Sequence, residues 1–136
     1  YYQEIEQYKA QYMEAGAQSE EGYSGYDYSQ FLSDITSAYN SIARFEKSRI
    51  EIAYNVSSSF DSVAAWEKAN ALLEQKKQFD LKDGDLQRVE QEFRAGTISQ
   101  SVYEAQRASL QSELDGIAAE RDTLQAEYDQ LFANLG

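Results

Sequence analysis

The feature that most constrains this chain is a helix stop followed at once by a helix start, in the stretch Phe-Arg-Ala-Gly-Thr-Ile-Ser at residues 93–99. Gly96 has no Cβ and can adopt the left-handed backbone conformation that closes a helix. Thr97 can cap the following helix, with Gln100 placed as in a capping box, and Ser99 is a second candidate cap. A tight turn between two long helical segments predicts an antiparallel helical hairpin.

The composition permits long helices and excludes several kinds of site. The 136 residues include no proline, so no residue forces a helix to break. They include no cysteine and no histidine, which excludes disulfides and the usual zinc or copper ligands. Twelve basic and 24 acidic residues give a net charge of −12, which argues against nucleic acid or an anionic membrane as the partner. No apolar run is long enough to predict a membrane-spanning helix.

Residues 1–30 are predicted to form a short helix followed by a polar linker. Apolar residues at helical spacing define one face of a helix over residues 1–15: Ile5, Tyr8, Tyr12 and Ala15. Lys9 is assigned to its polar side. Residues 16–30 contain three glycines and three serines, which predicts a linker. The alternative is a short extended piece with Tyr26 and Tyr28 on one side.

The first arm of the hairpin is predicted as one helix over residues 34–95, with Ser33 or Asp34 as its cap. One heptad stripe consists of Ile42, Phe45, Arg49, Ile52, Val56, Ser59, Val63, Trp66, Asn70 and Leu73. A second stripe beside it consists of Ala53, Phe60, Ala64 and Ala71. Two stripes predict more than one neighbouring helix, with Trp66 as a core or interface anchor. The weak point is Gly84, where we expect a kink or break, opposite Ala108 and Ser109.

The second arm is predicted as a helix over residues 98–135. It carries a cleaner heptad seam: Leu110, Leu114, Ile117, Arg121, Leu124, Tyr128, Leu131 and Leu135. The first arm is longer, so its overhang must pack on residues 1–15, on another chain or on a missing part of the same chain. The prediction is therefore an all-α chain: residues 1–30 form a short helix and a Gly/Ser/Tyr linker, and residues 31–136 form a helical hairpin that turns at 95–99.

These features together resemble one repeat of the TolC-like outer-membrane efflux proteins. The matching features, within residues 50–136, are the stretch 52–56 with Phe60, the turn 93–99, Leu110 fourteen residues past Gly96, and Leu135–Gly136 at its end. Two positions depart from the family pattern: Val102 stands where an acidic residue is frequent, and Gln106 where alanine is frequent. Family members resemble two such repeats with barrel strands. This chain begins at Tyr1, so we expect either a processed or excised piece or a single-repeat relative.

The resemblance implies a non-enzymatic transport function in the cell envelope, in the periplasm or outer membrane. Hairpins would pack side by side into a helical tube, with the chain forming an oligomer such as a trimer or hexamer. The turn would contact a membrane-fusion adaptor protein through its tip residues: Phe93, Gly96, Thr97, Ile98 and Ser99.

Two alternatives remain open. The first is the hairpin of a periplasmic adaptor, for which Arg88 and Ser99 fit but Glu92 stands where leucine is expected. The second is a plain coiled-coil interaction module. The transport hypothesis and both alternatives involve no catalytic residues, no metal and no cofactor. Carboxylate pairs such as Glu113 with Glu120, or Asp115 with Asp122, are interpreted as solvated helix faces, because acid–base catalysis needs a shielded pocket.

Overall fold

The structure is a computed structural model that describes residues 1–17, 26–133 and 135. Within these residues it contains four helices and no strand. They are α1 (Tyr2–Ala17), α2 (Tyr28–Val56), α3 (Ser62–Arg94) and α4 (Gln100–Ala133). The predicted all-α fold, with a short helix ahead of a long antiparallel hairpin, is confirmed. Most of the predicted linker, at residues 18–25, lies outside the described residues.

The predicted single helix over residues 34–95 is wrong, because the chain reverses between α2 and α3. α2 ends at Val56, and Ser57 has extended backbone angles (φ −145°, ψ 113°). Asp61 then caps α3, its side chain accepting a hydrogen bond of 3.0 Å from the amide of Ala64. The overhang of the first arm therefore folds back along α3.

The reversal has a local cause in three consecutive serines, Ser57 to Ser59. Serine hydroxyls compete with the helical backbone for hydrogen bonds, and they favour turns and caps over helix interiors. Here the hydroxyls of Ser57 and Ser59 lie 2.8 Å apart and hydrogen-bond each other. Phe60 is buried just after them, where its ring packs edge-on against Phe132 of α4 at 5.0 Å between centroids. The turn is thus anchored to the core.

α2 also begins earlier than predicted. Its cap is Asp27, whose side chain accepts a 2.9 Å hydrogen bond from the amide of Gln30, so neither Ser33 nor Asp34 caps the helix. The predicted boundary at residue 30 falls inside α2, and Tyr28 is helical rather than part of an extended piece.

α3 is the central helix, and the other three pack against it. α4 runs antiparallel to α3, with ion pairs joining Lys82 to Glu113 at 3.0 Å and Lys68 to Glu127 at 3.2 Å. α2 also runs antiparallel to α3, and α1 runs parallel to it on the same side as α2. The 33 residues of α3 make a rod of about 50 Å at 1.5 Å per residue.

Two apolar clusters follow the length of α3. One joins α1, α2 and the middle of α3: Ile5, Tyr12, Phe31, Ile35, Ala38, Tyr39, Ile42, Leu73 and Leu81. The other joins the end of α2, the start of α3 and the end of α4: Ile50, Ala53, Phe60, Ala65, Ala69, Leu72, Leu124 and Tyr128. α1 is therefore an integral part of the core.

The heptad seam predicted for the second arm faces inward, since none of its members is exposed. The first-arm seam does not. Ile42 and Leu73 are buried and Trp66 is half-buried, but the other large apolar residues between them lie in water: Phe45 is 66% exposed, Ile52 63%, Val56 71% and Val63 67%. The reversal explains this result, because it changes which face of each helix meets the core. α3 instead buries Ala65, Ala69 and Leu72.

Gly84 neither kinks nor breaks α3. The helix continues through it, and Gly84 meets α2 rather than Ala108 and Ser109. A Cβ built on Gly84 would lie 2.4 Å from the Cζ atom of Phe31, whose ring is fully buried and stacks on Tyr12 at 4.4 Å. The glycine is needed because it lets this ring approach the α3 backbone.

Replacing Gly84 by alanine should destabilise the protein even though alanine is the better helix former. The new methyl group would force the enclosed Phe31 ring to move, at a cost of about 1–3 kcal/mol. Gly116 in α4 is the matched control, since a Cβ there meets nothing within 4 Å. Gly116→Ala should raise the unfolding free energy by about 0.5–1 kcal/mol. Denaturant unfolding of the two alanine variants measures both effects. Stabilisation by both substitutions would contradict the close contact between Gly84 and the Phe31 ring.

Candidate functional site

The predicted tip residues come together in one ordered turn between α3 and α4. Ala95 is the C-cap of α3, and Gly96 has φ +80°, the left-handed conformation expected of it. The amide of Thr97 donates to the carbonyl of Glu92 at 2.9 Å, and the amide of Gly96 donates to that of Phe93 at 3.1 Å. These two hydrogen bonds form a Schellman motif, which satisfies carbonyl groups that the end of α3 would otherwise leave unpaired.

Of the two candidate caps predicted for α4, the structure confirms Ser99 and not Thr97. The Thr97 hydroxyl donates to the Glu92 carbonyl at 3.0 Å, so it closes α3 instead of starting α4. Ser99 is the cap of α4: its hydroxyl accepts a 3.2 Å hydrogen bond from the amide of Val102. The side chain of Gln100 donates to Glu104 at 3.0 Å, so the predicted capping box does not form.

A ring pair holds the two arms together beside the turn. Phe93 stacks on Tyr103 with ring centroids 4.3 Å apart and planes inclined by 4°. Sequence reasoning identified Phe93 but missed Tyr103, which is the first aromatic residue after the turn and lies four residues past Ser99. Phe93 to Gly96 and Ser99 are exposed, while Thr97 and Ile98 are half-buried. The tip therefore presents a short surface with a defined backbone.

A groove of about 490 Å³ lies beside the tip, between α1, α3 and α4. Its lining includes the apolar Ile98 and Val89 and the charged Lys82, Arg88 and Glu113. The guanidinium of Arg88 lies over the ring of Tyr12, 4.6 Å from the ring centroid. The groove is open to solvent, and its lining is mixed in polarity.

The most unusual electrostatic feature lies under α1. Lys9 is 3% exposed, and its ammonium group contacts carboxylates of Asp80 at 2.6 Å, Asp83 at 3.0 Å and Glu6 at 3.2 Å. The Tyr39 hydroxyl also donates to Asp80. Burial of a charge is costly unless it is paired and hydrogen-bonded, and Lys9 meets both conditions.

The protonation of this cluster follows from burial and from these partners. Burial by itself lowers the pKa of Lys9, but hydrogen bonds and charge contacts with Asp80 and Asp83 outweigh it and raise the pKa above the ordinary lysine value. Burial, followed by the contact with Asp80, raises the pKa of Tyr39 well above its usual range. Lys9 is thus held charged and Tyr39 neutral, so that Lys9 joins α1 to α3 and Tyr39 joins α2 to the same Asp80 of α3.

A second polar contact lies one helical turn away. Tyr12 donates to Asp85 at 3.0 Å. Burial and the charge of Asp85 raise the pKa of Tyr12 to about 12, and burial also raises the pKa of Asp85. Both contacts involve α1, whose face was predicted from apolar spacing alone. The prediction that Lys9 lies on the polar side is wrong, and its spacing from Ile5 and Tyr12 matches the buried face.

The remaining candidates do not assemble into a reactive site. Glu113 forms its ion pair with Lys82, and the side chain of Asp122 is 71% exposed. Trp66 is half-buried, with the ammonium group of Lys47 5.9 Å from its ring centroid. Within the described ranges, no group of three acidic residues is placed to hold a metal ion.

None of the helices in the described part of the chain is long and apolar enough to cross a membrane. Comparison of the chain with protein-family models, curated proteins and solved structures finds no match of any of the three kinds. Function is therefore inferred from the residues and their geometry.

Lys9→Met should lower the unfolding free energy by about 3 kcal/mol, because it leaves Asp80 and Asp83 without their buried counter-charge. Lys68→Met is the matched control, since Lys68 pairs with Glu127 in a partly exposed position and should change stability by about 0–1 kcal/mol. Denaturant unfolding at neutral pH measures both. Equal effects of the two substitutions would mean that the Lys9 cluster contributes no more than a surface ion pair.

Stability should fall as the pH rises above about 10, the pKa of an unperturbed tyrosine. The unfolded chain then loses phenolic protons that folded Tyr12, with a pKa of about 12, still holds. Fewer protons on the unfolded state mean that unfolding becomes easier with rising pH. Tyr12→Phe should reduce this slope, whereas Tyr54→Phe, at an exposed position, should not. Unfolding measured between pH 9 and pH 11 checks this, and identical slopes would contradict it.

Proposed function

We propose that this chain is a non-enzymatic component of a TolC-like export channel of the cell envelope. In this proposal the α3–α4 hairpin packs beside hairpins of neighbouring copies, and its tip contacts an adaptor protein. The observation that carries the proposal is the tip itself: a turn ordered by backbone hydrogen bonds whose outer residues, 93–96 and 99, are exposed. An exposed turn with a fixed backbone is a surface that a partner protein can recognise.

Assembly with neighbours is supported by the exposed apolar residues of α2 and early α3. Phe45, Ile52, Val56 and Val63 are all more than half exposed in a single chain. Large apolar side chains clustered on one face mark interaction surfaces more often than singly scattered ones do. The acidic surface, at a net charge of −12, is compatible with a protein that meets other proteins rather than nucleic acid.

A second candidate is a self-contained helical interaction module. It is favoured by the first apolar cluster, in which α1 and α2 cover α3 and form a core without any other chain. Such a module would use the same tip and the same exposed residues. It differs from the first candidate in needing neither a tube nor an adaptor.

The tip contact can be tested through Gly96, where an added Cβ meets nothing within 4 Å but the backbone is left-handed. Gly96→Val should distort the turn, because a β-branched residue tolerates positive φ poorly. Gly96→Asn is the control, since asparagine accepts this conformation. We expect valine to weaken binding to the purified helical hairpin of an envelope adaptor by about tenfold or more, and asparagine by much less.

Binding is measured by calorimetry, and the unfolding of each variant is followed in parallel. A bulky Ala95→Trp substitution, at an exposed position of the turn, adds a steric block without altering the left-handed residue. Undiminished adaptor binding by the valine and tryptophan variants would refute the tip contact. Absence of binding by the unaltered chain would favour the self-contained module.

A further inference from the structure

We propose that two copies of this chain exchange α2, so that α2 of each copy packs on α3 of the other. In the exchanged dimer the hinge, residues 57–61, becomes helical and joins α2 to α3 in one rod, and the two rods lie antiparallel. A second copy of the chain is then the partner of the exposed apolar residues beside the hinge. The inference goes beyond the proposed function, because it requires neither a tube nor an adaptor.

The heptad seam keeps its phase through the reversal. Counted straight through residues 57–61, alternating steps of four and three run without a slip from Phe31 to Gly84. The first four positions of this seam, in α2, are buried, and so are Leu73 and Gly84 in α3. Two helices with unrelated seams would share one phase in about one case in seven. The shared phase therefore indicates that α2 and α3 can act as one helix with a single seam.

The middle of the seam has no cover in a single copy. Four large apolar members on either side of the hinge are 63–71% exposed: Phe45, Ile52, Val56 and Val63. Near the reversal α2 instead packs through Ile50 and Ala53, which lie beside the seam and are buried. The uncovered positions are thus those next to the hinge. An exchanged dimer creates its additional contact at this place, because the two hinges meet at the two-fold axis.

The register between α2 and α3 identifies what covers these residues. Residues of α2 and α3 that contact each other within one copy have numbers that add to about 115: Phe31 with Gly84, Tyr39 with Asp80, and Lys47 with Trp66. Two antiparallel rods in this register place Ile52 of one copy against Val63 of the other, and Val56 against Ser59. The contact between copies thereby continues the α2–α3 interface of each copy and closes about a two-fold axis.

The hinge is short and can become helical. Its sequence, Ser-Ser-Ser-Phe-Asp, contains neither glycine nor proline, and none of its residues has a positive φ. Within one copy the reversal is held by local polar contacts, the hydroxyl pair of Ser57 with Ser59 and the cap from Asp61 to Ala64. The seam contacts between α2 and α3 are the same in both forms, so protein concentration and hinge conformation set the balance.

The exchange itself can be tested in the full chain, which contains no cysteine. Ala38 of α2 and Lys77 of α3 lie opposite each other in this register, and a single cysteine cannot form a disulfide within its own copy. Equimolar Ala38→Cys and Lys77→Cys are unfolded together, refolded at high protein concentration and oxidised. We expect a mixed disulfide in about half of the dimers, the statistical share of mixed pairs, because the two Cα atoms come within disulfide reach. Dimers without this disulfide would overturn the exchange.

A second pair of variants tests the contact beside the hinge. Ile52→Cys and Val63→Cys, mixed and refolded in the same way, should form a disulfide between copies. Phe45→Cys with Val63→Cys is the matched control, since Phe45 is equally exposed but lies about 10 Å out of register at 1.5 Å per residue. We expect the first pair to give about tenfold more mixed disulfide than the control. Equal yields would contradict the register and overturn the proposal.

The hinge can be biased in both directions. Substitution of all three serines, 57–59, by alanine favours the helix and removes the hydroxyl pair, whereas substitution by glycine disfavours the helix. We expect the association constant of the dimer to rise by about tenfold or more with alanine and to fall by a similar factor with glycine. Light scattering of the refolded proteins over a wide concentration range measures both.

Two further results would overturn the proposal: association constants that the hinge substitutions leave unchanged, or an unaltered chain that remains a monomer at every concentration after refolding. Adaptor binding measured through the Gly96 variants does not involve α2 or the hinge. The exchange and the proposed tip contact therefore fail separately.

Discussion

The cap that Asp61 places on α3 completes the chain reversal on which the rest of this structure depends. Without the reversal, α2 and α3 would form one rod with no partner over half of its length. With it, Phe31 and Tyr39 reach the second half of α3, and Phe60 reaches the end of α4. One capped turn therefore creates both apolar clusters, and α1 completes the first of them.

The polar contacts under α1 give this packing its register. An apolar face by itself permits a helix to slide or rotate with little change in buried area. The Lys9 ammonium meets Asp80 and Asp83 together in one position of α1, while Tyr12 reaches Asp85 in the same position. Moving α1 by one turn would leave buried charges unpaired, which is far more costly than the loss of a few apolar contacts. Polar groups in this core therefore specify the arrangement more than they strengthen it.

The parts of the fold that sequence reasoning predicted well are those with local signals. Gly96 and the serine and threonine around it determine a turn within a few residues, and the α4 seam repeats regularly enough to identify its buried face. The reversal at Ser57 to Ser59 contains no glycine or proline, and serine is only mildly unfavourable in helices. The sequence therefore predicted a single helix over residues 34–95. The close approach of Phe31 to Gly84 depends on that reversal and could not be found before it. At the tip, Ser99 was one of two caps predicted for α4, but the role of Thr97 in closing α3 was not predicted.

The exposure pattern of α4 has a dynamic consequence. Its buried residues, Leu114, Leu124 and Tyr128, all lie in the last two thirds of the helix. Most residues between Gln100 and Leu114 are exposed. The free energy of local opening should therefore decrease along α4 toward the tip, since opening there exposes little apolar surface. The Phe93–Tyr103 stack stands at the end of this segment and opposes its fraying. A partner bound at the turn would slow amide hydrogen exchange throughout the first turns of α4, well beyond the residues it touches.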